Sequence, residues 1–259
     1  MLLIFSLLII HWYLSLFCQT FYLHRYAAHG MFIMPYWLDR VFYALTYITQ
    51  GPSFLNPRAY ALLHQAHHKH SDTALDPHSP HFFPSVKAMM MKTYHDYHAL
   101  VREPVGMREN HYYPTWRMLD TFARTWWHTA LWVSLYVYAY TFVATSWWQY
   151  SFLAIHFLMG PIQGATVNWF GHKIGHRNFD LPDKSRNTLL VDILLMGELY
   201  QNNHHAKPMS MNFATRWFEF DPTYPIIKLM KGLRMVKPAH VQSSDTSLHH
   251  VPGLGASQL

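Results

Sequence analysis

Three short histidine clusters hold the chemistry this chain could perform: His24-Arg-Tyr-Ala-Ala-His29, His64-Gln-Ala-His67-His68 and Gln201-Asn-Asn-His204-His205. Imidazole is the commonest side-chain ligand for redox-active first-row metals, and several at turn-related spacings can surround an ion without any thiolate. Positions three and four apart share one face of a helix, so His64, His67 and His68 can aim their ring nitrogens to one side. Gln201, His204 and His205 repeat those offsets, which predicts a second helix facing the first across a shared site. In the first cluster the gap is five, which on an ideal α-helix turns the second side chain about 140° from the first. His24 and His29 are therefore expected to serve different metals, or to sit where a helix frays.

Asn168 and His172, spaced by four, form a quieter fourth element. An Asn among apolar residues needs a polar partner, and a metal-bound water would supply one. Eight histidines together with Asn168 and Gln201 exceed the coordination of one ion, so two metals are expected. Iron is preferred to zinc on the expectation of redox chemistry.

A lone His-x-x-His-His is more often a surface patch than a ligand set, and it is the recurrence of such clusters beside uncharged stretches that reverses this. His11, His128 and His156 fall inside those stretches and are expected to hydrogen-bond to neighbouring helices. His70, His78 and His81 read as polar loop residues, His95 and His98 as an exposed helix pair, and His240, His249 and His250 as tail residues outside any site.

What must position the clusters follows from where charge is missing. Only 13% of the 259 residues are charged, while 51% are hydrophobic and 17% aromatic. The 21 histidines, scored as polar, keep the mean hydropathy at −0.06 and mask the apolar runs. No Lys, Arg, Asp or Glu precedes Arg25, and none occurs from Thr125 to His172. Crossing a hydrocarbon core of about 30 Å takes roughly 20 apolar residues. The first stretch is long enough for one span. The second accommodates two, Trp126 to Val143 and Trp147 to Phe170, around the polar break Ala144-Thr145-Ser146. Met1 to Gln19 lacks the basic start and small-residue cleavage site of a secretory signal and reads as a span.

Pro35 to Leu55 holds a shorter apolar run, Val41 to Ile48. If it crossed, His24 and His29 would open on the face opposite His64, so it reads as an interfacial or re-entrant helix. The expected fold is an all-α membrane protein: about three transmembrane helices, an interfacial helix, and a helical cap holding a histidine-rich dimetal site. Residues 1–236 form this domain and 237–259 a polar, disordered tail. The charged blocks on either side of the second and third spans each carry ten Lys and Arg, which places both in the cytoplasm by the positive-inside rule. The net charge of +6 thus reads as a topology signal toward anionic lipid headgroups, with no nucleic acid implied. Cys18 is the sole cysteine, which excludes an intrachain disulfide or a thiolate metal site.

With these motifs in order, the chain resembles the integral-membrane fatty acid desaturases, in particular the acyl-CoA Δ9 (stearoyl-CoA type) branch. The resemblance is carried by His24-x-x-x-x-His29, His64-x-x-His67-His68, the following Asp72-Thr-Ala-Leu-Asp76-Pro77-His78, Asn168-x-x-x-His172, and Gly197-Glu198 before the third box. It implies a cytosolic cap holding two irons, with His24, His29, His64, His67, His68, His172, His204 and His205 as ligands and Asn168 bound through water. It also implies O2 as co-substrate and a cis double bond as product, drawn from a long acyl chain on CoA or a lipid. An alkyl C–H bond offers no handle to an acid or base, so such a reaction needs a metal-generated oxidant in a site that excludes bulk water. Two positions depart from the family pattern. Gln201 stands where the third box begins with His, with His176 as a candidate substitute, and Leu62 and Leu63 replace a basic and an acidic residue before the second box.

The sequence contains no Gly-x-Gly-x-x-Gly fingerprint, no cysteine set for an iron–sulfur centre and no His-Pro-Gly-Gly haem motif. Electrons are therefore expected from a separate ferredoxin-like or cytochrome b5-like donor, with its reductase, docking on the basic face. Tyr60, Trp169 and Tyr200 are candidates to line an acyl tunnel. The competing readings are a membrane lipid hydroxylase, a histidine-rich metal transporter, and an inactive relative suggested by Gln201.

Overall fold

A computed structural model describes residues 2–104 and 113–239. The chain is mostly helical and opens on α1 (Leu2–Phe17), which runs without a break into a π-helical segment, Cys18–Ala28. Together they form the one helix, among the described residues, that is long and apolar enough to cross a membrane. There follow α2 (Tyr36–Gln50), α3 (Pro57–His70), α4 (Val86–Arg102), α5 (Arg117–Ala123), α6 (Trp126–Val143), α7 (Leu153–Phe157), α8 (Met159–Lys173), α9 (Gln201–Ala206) and α10 (Thr223–Gly232).

Local chemistry sets the key boundaries. Asn56 caps α3, its side chain accepting the Ala59 N–H, and Pro57 occupies the first helical position, where no N–H is needed. The expected single span over Trp147 to Phe170 is instead a 3-10 turn (Trp147–Phe152), α7 and α8. Ser146 and Gln149 form a reciprocal cap that starts the turn. Pro161 lacks the N–H that would bond back to residue 157, and the helix is offset at Leu158. The Val41 to Ile48 run lies within α2, which buries Leu38, Phe42 and Tyr43 and leaves Trp37, Val41, Leu45 and Ile48 outside.

The main core joins Phe21, Tyr22 and Leu23 of the π segment to Phe42 and Tyr43 of α2, Phe54, Phe213 and Ile227. It therefore sits directly beneath the first histidine box and holds that box against α3. Lys237 and Pro238, the first residues of the expected tail, pair antiparallel with Ile33 and Phe32. Residues 240–259, the remainder of the expected tail, lie outside the described residues.

A candidate metal centre

The first box gains its geometry from the wide turn that carries it. The His29 N–H donates to the His24 carbonyl at 3.1 Å, a bond between residues five apart. Five residues close one hydrogen-bonded ring of a π-helix, so the gap that separates side chains on an α-helix stacks them on this one. Of the two readings of this pair, different metals or a helix end, His29 does sit at the end of the π-helix, and the two rings do not point apart: their centroids lie 5.0 Å from one another and both enter the same candidate cluster.

That cluster comprises His24, His29, His64, His68 and His204, with one ligand atom from each within 4.8 Å of all the others. The closest approaches join Nε2 atoms: His24 to His204 at 3.0 Å, His29 to His64 at 2.8 Å and His68 to His204 at 2.9 Å. A second cluster of His67, His172 and His205 adjoins it, with the Nε2 atoms of His67 and His205 3.3 Å apart. The third box supplies one histidine to each, as helical neighbours must.

Carboxylates fix the rings from behind. Glu198 accepts from His24 Nδ1 at 2.7 Å, Asp76 from His67 Nδ1 at 2.9 Å, Asp72 from His172 Nδ1 at 2.8 Å and Asp183 from His205 Nδ1 at 2.9 Å. A neutral imidazole that donates through Nδ1 keeps a bare lone pair on Nε2. His67 and His205 therefore point lone pairs at one another, and His172 Nε2 is buried without a partner. Only a shared cation relieves that arrangement. Burial holds His64, His67 and His204 well below the ordinary imidazole range, with neighbouring imidazoles adding to it, and brings His29 down to about 2. Protonation is disfavoured, so a metal ion fits the donor set better than protons do.

The carboxylates themselves differ. Burial pushes Asp76 up to about 6, against the pull of the His78 and Asp72 backbone N–H groups. At Asp72 burial also pushes upward, but the hydrogen bonds donated by His172, by the Ser79 hydroxyl and by the Lys184 backbone prevail and hold it at about 2. Asp72→Asn removes the carboxylate charge and is expected to lower the affinity of the second cluster for Fe(II) about 10–100-fold. Anaerobic titration of the purified chain reads this directly, and an unchanged affinity would exclude an orienting role for Asp72.

The residues between the boxes also have work to do. Asn202 Oδ1 accepts from the backbone of Asn178 and Phe179, and Asn203 Nδ2 donates to the Phe213 carbonyl and to Glu219, which anchors the six-residue α9. Asp192 gathers the N–H groups of Leu195, Gly197 and Leu199 and shapes the loop that delivers Glu198.

Several sequence expectations change on contact with this geometry. Gln201 is buried, with its amide nitrogen donating to the Glu198 carbonyl at 2.7 Å and its stem against Gly171, where an added Cβ would come within 2.5 Å of Gln201 Cγ. Asn168 is half-buried one turn before His172. His176 does not substitute for the missing imidazole: Gly175, at φ +127°, turns the chain, and His176 pairs with Asn187 backbone and Glu219 instead. Tyr200 spends its phenol on the backbone of Leu190, Asp192 and Phe220, a structural hub. Tyr60 stacks on His64, and Trp169 packs under Lys173. His11 does bond to His156 and to the Thr49 carbonyl. His128 Nε2, in contrast, is buried with no hydrogen-bond partner. His78 is buried, not a solvated loop residue, and His81 Nε2 donates to the His172 carbonyl at 2.9 Å.

Comparison with known proteins agrees with the geometry. Residues 1–233 match the family model described as fatty acid desaturase. The Delta-9 desaturase-like 5 protein of Arabidopsis thaliana is 28% identical over 242 residues, covering 88% of this chain and 75% of that protein. Acyl-CoA 5-desaturase AL21 of Anemone leveillei is 30% identical over 241 residues, 88% of this chain and 69% of its own length. The Delta-9 desaturase-like 2 protein of Arabidopsis thaliana is 29% identical, covering 83% and 70%. With two imidazole clusters that could hold metal and a family match across nearly its whole length, the chain belongs to the fatty acid desaturases and is an oxidoreductase acting on fatty acids.

Proposed function

We propose that this chain is an oxygen-dependent acyl desaturase that holds two irons and introduces a cis double bond into a long acyl chain, carried on CoA, at the Δ9 position. The observation that carries the reading is the pair of adjoining imidazole clusters, the first backed by Glu198 and the second by Asp72, Asp76 and Asp183. One iron is held by His24, His29, His64, His68 and His204; the other by His67, His172 and His205, with Asn168 reaching it through water. Bound iron supplies, with O2, the oxidising power that an unactivated C–H bond requires. The protein's own part is to keep the imidazoles neutral by burying them, to aim four of them through Glu198, Asp76, Asp72 and Asp183, and to exclude water from the cluster with the packed rings of Tyr60 and Phe213. The CoA carrier follows the name of the Anemone leveillei relative, itself a 5-desaturase, and the Δ9 position follows the names of the two Arabidopsis thaliana relatives.

We place the chain in a membrane with its metal centre on the cytoplasmic face. The first helix, 2–28, has 27 residues against the roughly 20 that a span requires. Its outer face carries Leu3, Ile9, Ile10 and Leu14, and that of α6 carries Leu131, Leu135, Tyr138 and Phe142, all exposed. Helices that turn apolar side chains outward suit lipid better than water. The α6 to α8 region supplies the second and third spans, and α2 lies at the interface. Basic residues on the same side as the clusters, among them Lys173, Lys184, Arg186 and Lys207, suit an acidic ferredoxin-like or cytochrome b5-like donor.

Expression in a desaturase-deficient host, with host lipids analysed by gas chromatography and mass spectrometry, tests the proposal. A new cis double bond at one position is the expected result. A hydroxylated chain without new unsaturation would establish a hydroxylase, and the absence of any oxygen-dependent lipid product would overturn the enzymatic reading.

A further inference from the structure

The two clusters are unequally built. Five imidazoles line the first and three the second. Gln201, the third-box residue one turn before His204 and His205, has its amide nitrogen committed to a backbone carbonyl and its stem packed on Gly171. His78 lies beside His67, in the loop after α3. It is 5% exposed, and neither of its ring nitrogens has a hydrogen-bond partner. A buried histidine of a core ordinarily satisfies its N–H and its lone pair, because burying both unpaired is unfavourable. The His78 ring sits 4.4 Å from that of His67, and a nitrogen of His78 lies within 4.8 Å of ligand atoms of His67 and Asp76.

The loop is fastened to the site from both ends. Asp76, which holds His67, also accepts the His78 backbone N–H at 3.0 Å, and Asp72, which holds His172, accepts the Ser79 hydroxyl at 2.6 Å. His78 is thus carried on the same two carboxylates that orient two of the second cluster's three imidazoles. We propose that His78 supplies the fourth imidazole to the metal position formed by His67, His172 and His205, an inference that rests on the two-iron reading above.

The test compares the full chain with its His78→Ala and His78→Asn variants, each purified and loaded anaerobically with 57Fe(II), by iron content and Mössbauer spectroscopy. The unaltered chain is expected to bind about two irons in two distinguishable environments, and each variant to fall to about one, keeping the first environment unchanged. Variants that retain two irons with unaltered spectra would overturn the proposal while leaving the two-iron reading intact. Fewer than two irons in the unaltered chain would overturn both, and equal loss from both environments in folded variants would reduce His78 to a packing role. Should neither variant fold, mass mapping of diethyl pyrocarbonate modification on the unaltered chain decides. Iron loading must protect His78 as strongly as it protects His67, and His78 modification that iron leaves unchanged would overturn the proposal.

Discussion

His204→Ala is expected to abolish product formation, lowering it by more than about 100-fold, since losing an orienting partner alone costs about 10–100-fold in metal affinity or activity. His204 meets every other ring of the first cluster, and its Nε2 stands 3.0 Å from that of His24 and 2.9 Å from that of His68, so one ring joins all three boxes. Truncation also leaves His24 aimed, by its bond to Glu198, at an empty position. The measurement is unsaturated lipid produced per unit of membrane-inserted protein, with iron content of the purified variant beside it. Product at near the unaltered level would show that the reaction does not occur at this cluster.

The largest effect on stability is expected at Arg25. Its guanidinium is completely buried; it pairs with Asp221 at 2.6 Å and Glu198 at 3.4 Å, donates to Thr20 and to the Met211 carbonyl, and lies 3.7 Å over the Phe213 ring. Arg25→Met keeps the bulk but strands two buried carboxylates, a change that costs about 3–5 kcal/mol. Arg25→Lys cannot reproduce the planar fork and is expected to fall between. The midpoint of thermal unfolding, followed by tryptophan fluorescence, should drop accordingly, and the metal site should weaken with it because Glu198 holds His24. An unchanged midpoint would mean that the network contributes nothing net to the fold.

How much of this could be read in the sequence depends on what each residue interacts with. The His64 and His204 boxes were legible because they rest on α-helical offsets, and α3 and α9 are α-helices. The first box was legible only in part because the π-helical turn under it is set by packing of Phe21, Tyr22 and Leu23 against α2, which no local pattern reports. Asp72 and Asp76 stood visibly beside the second box, yet their pairing with His172 and His67 depends on the fold. Asp183 gave no signal at all, lying 22 residues from His205. The prolines around His78 correctly announce a loop, but loops are expected at the surface, and burial here comes from the carboxylates that the loop itself supplies. Pro161 was the readable cause of the break in the expected span over Trp147 to Phe170.

The widened turn at Cys18–Ala28 makes the first box a gauge of chain length. Exchanging one apolar side chain for another there alters packing by degrees, whereas removing a single residue between Gln19 and His24 would rotate everything before the cut by roughly a quarter-turn relative to the box. The apolar anchor and the imidazoles would then face in incompatible directions. Such a stretch tolerates drift in composition and punishes any change in count.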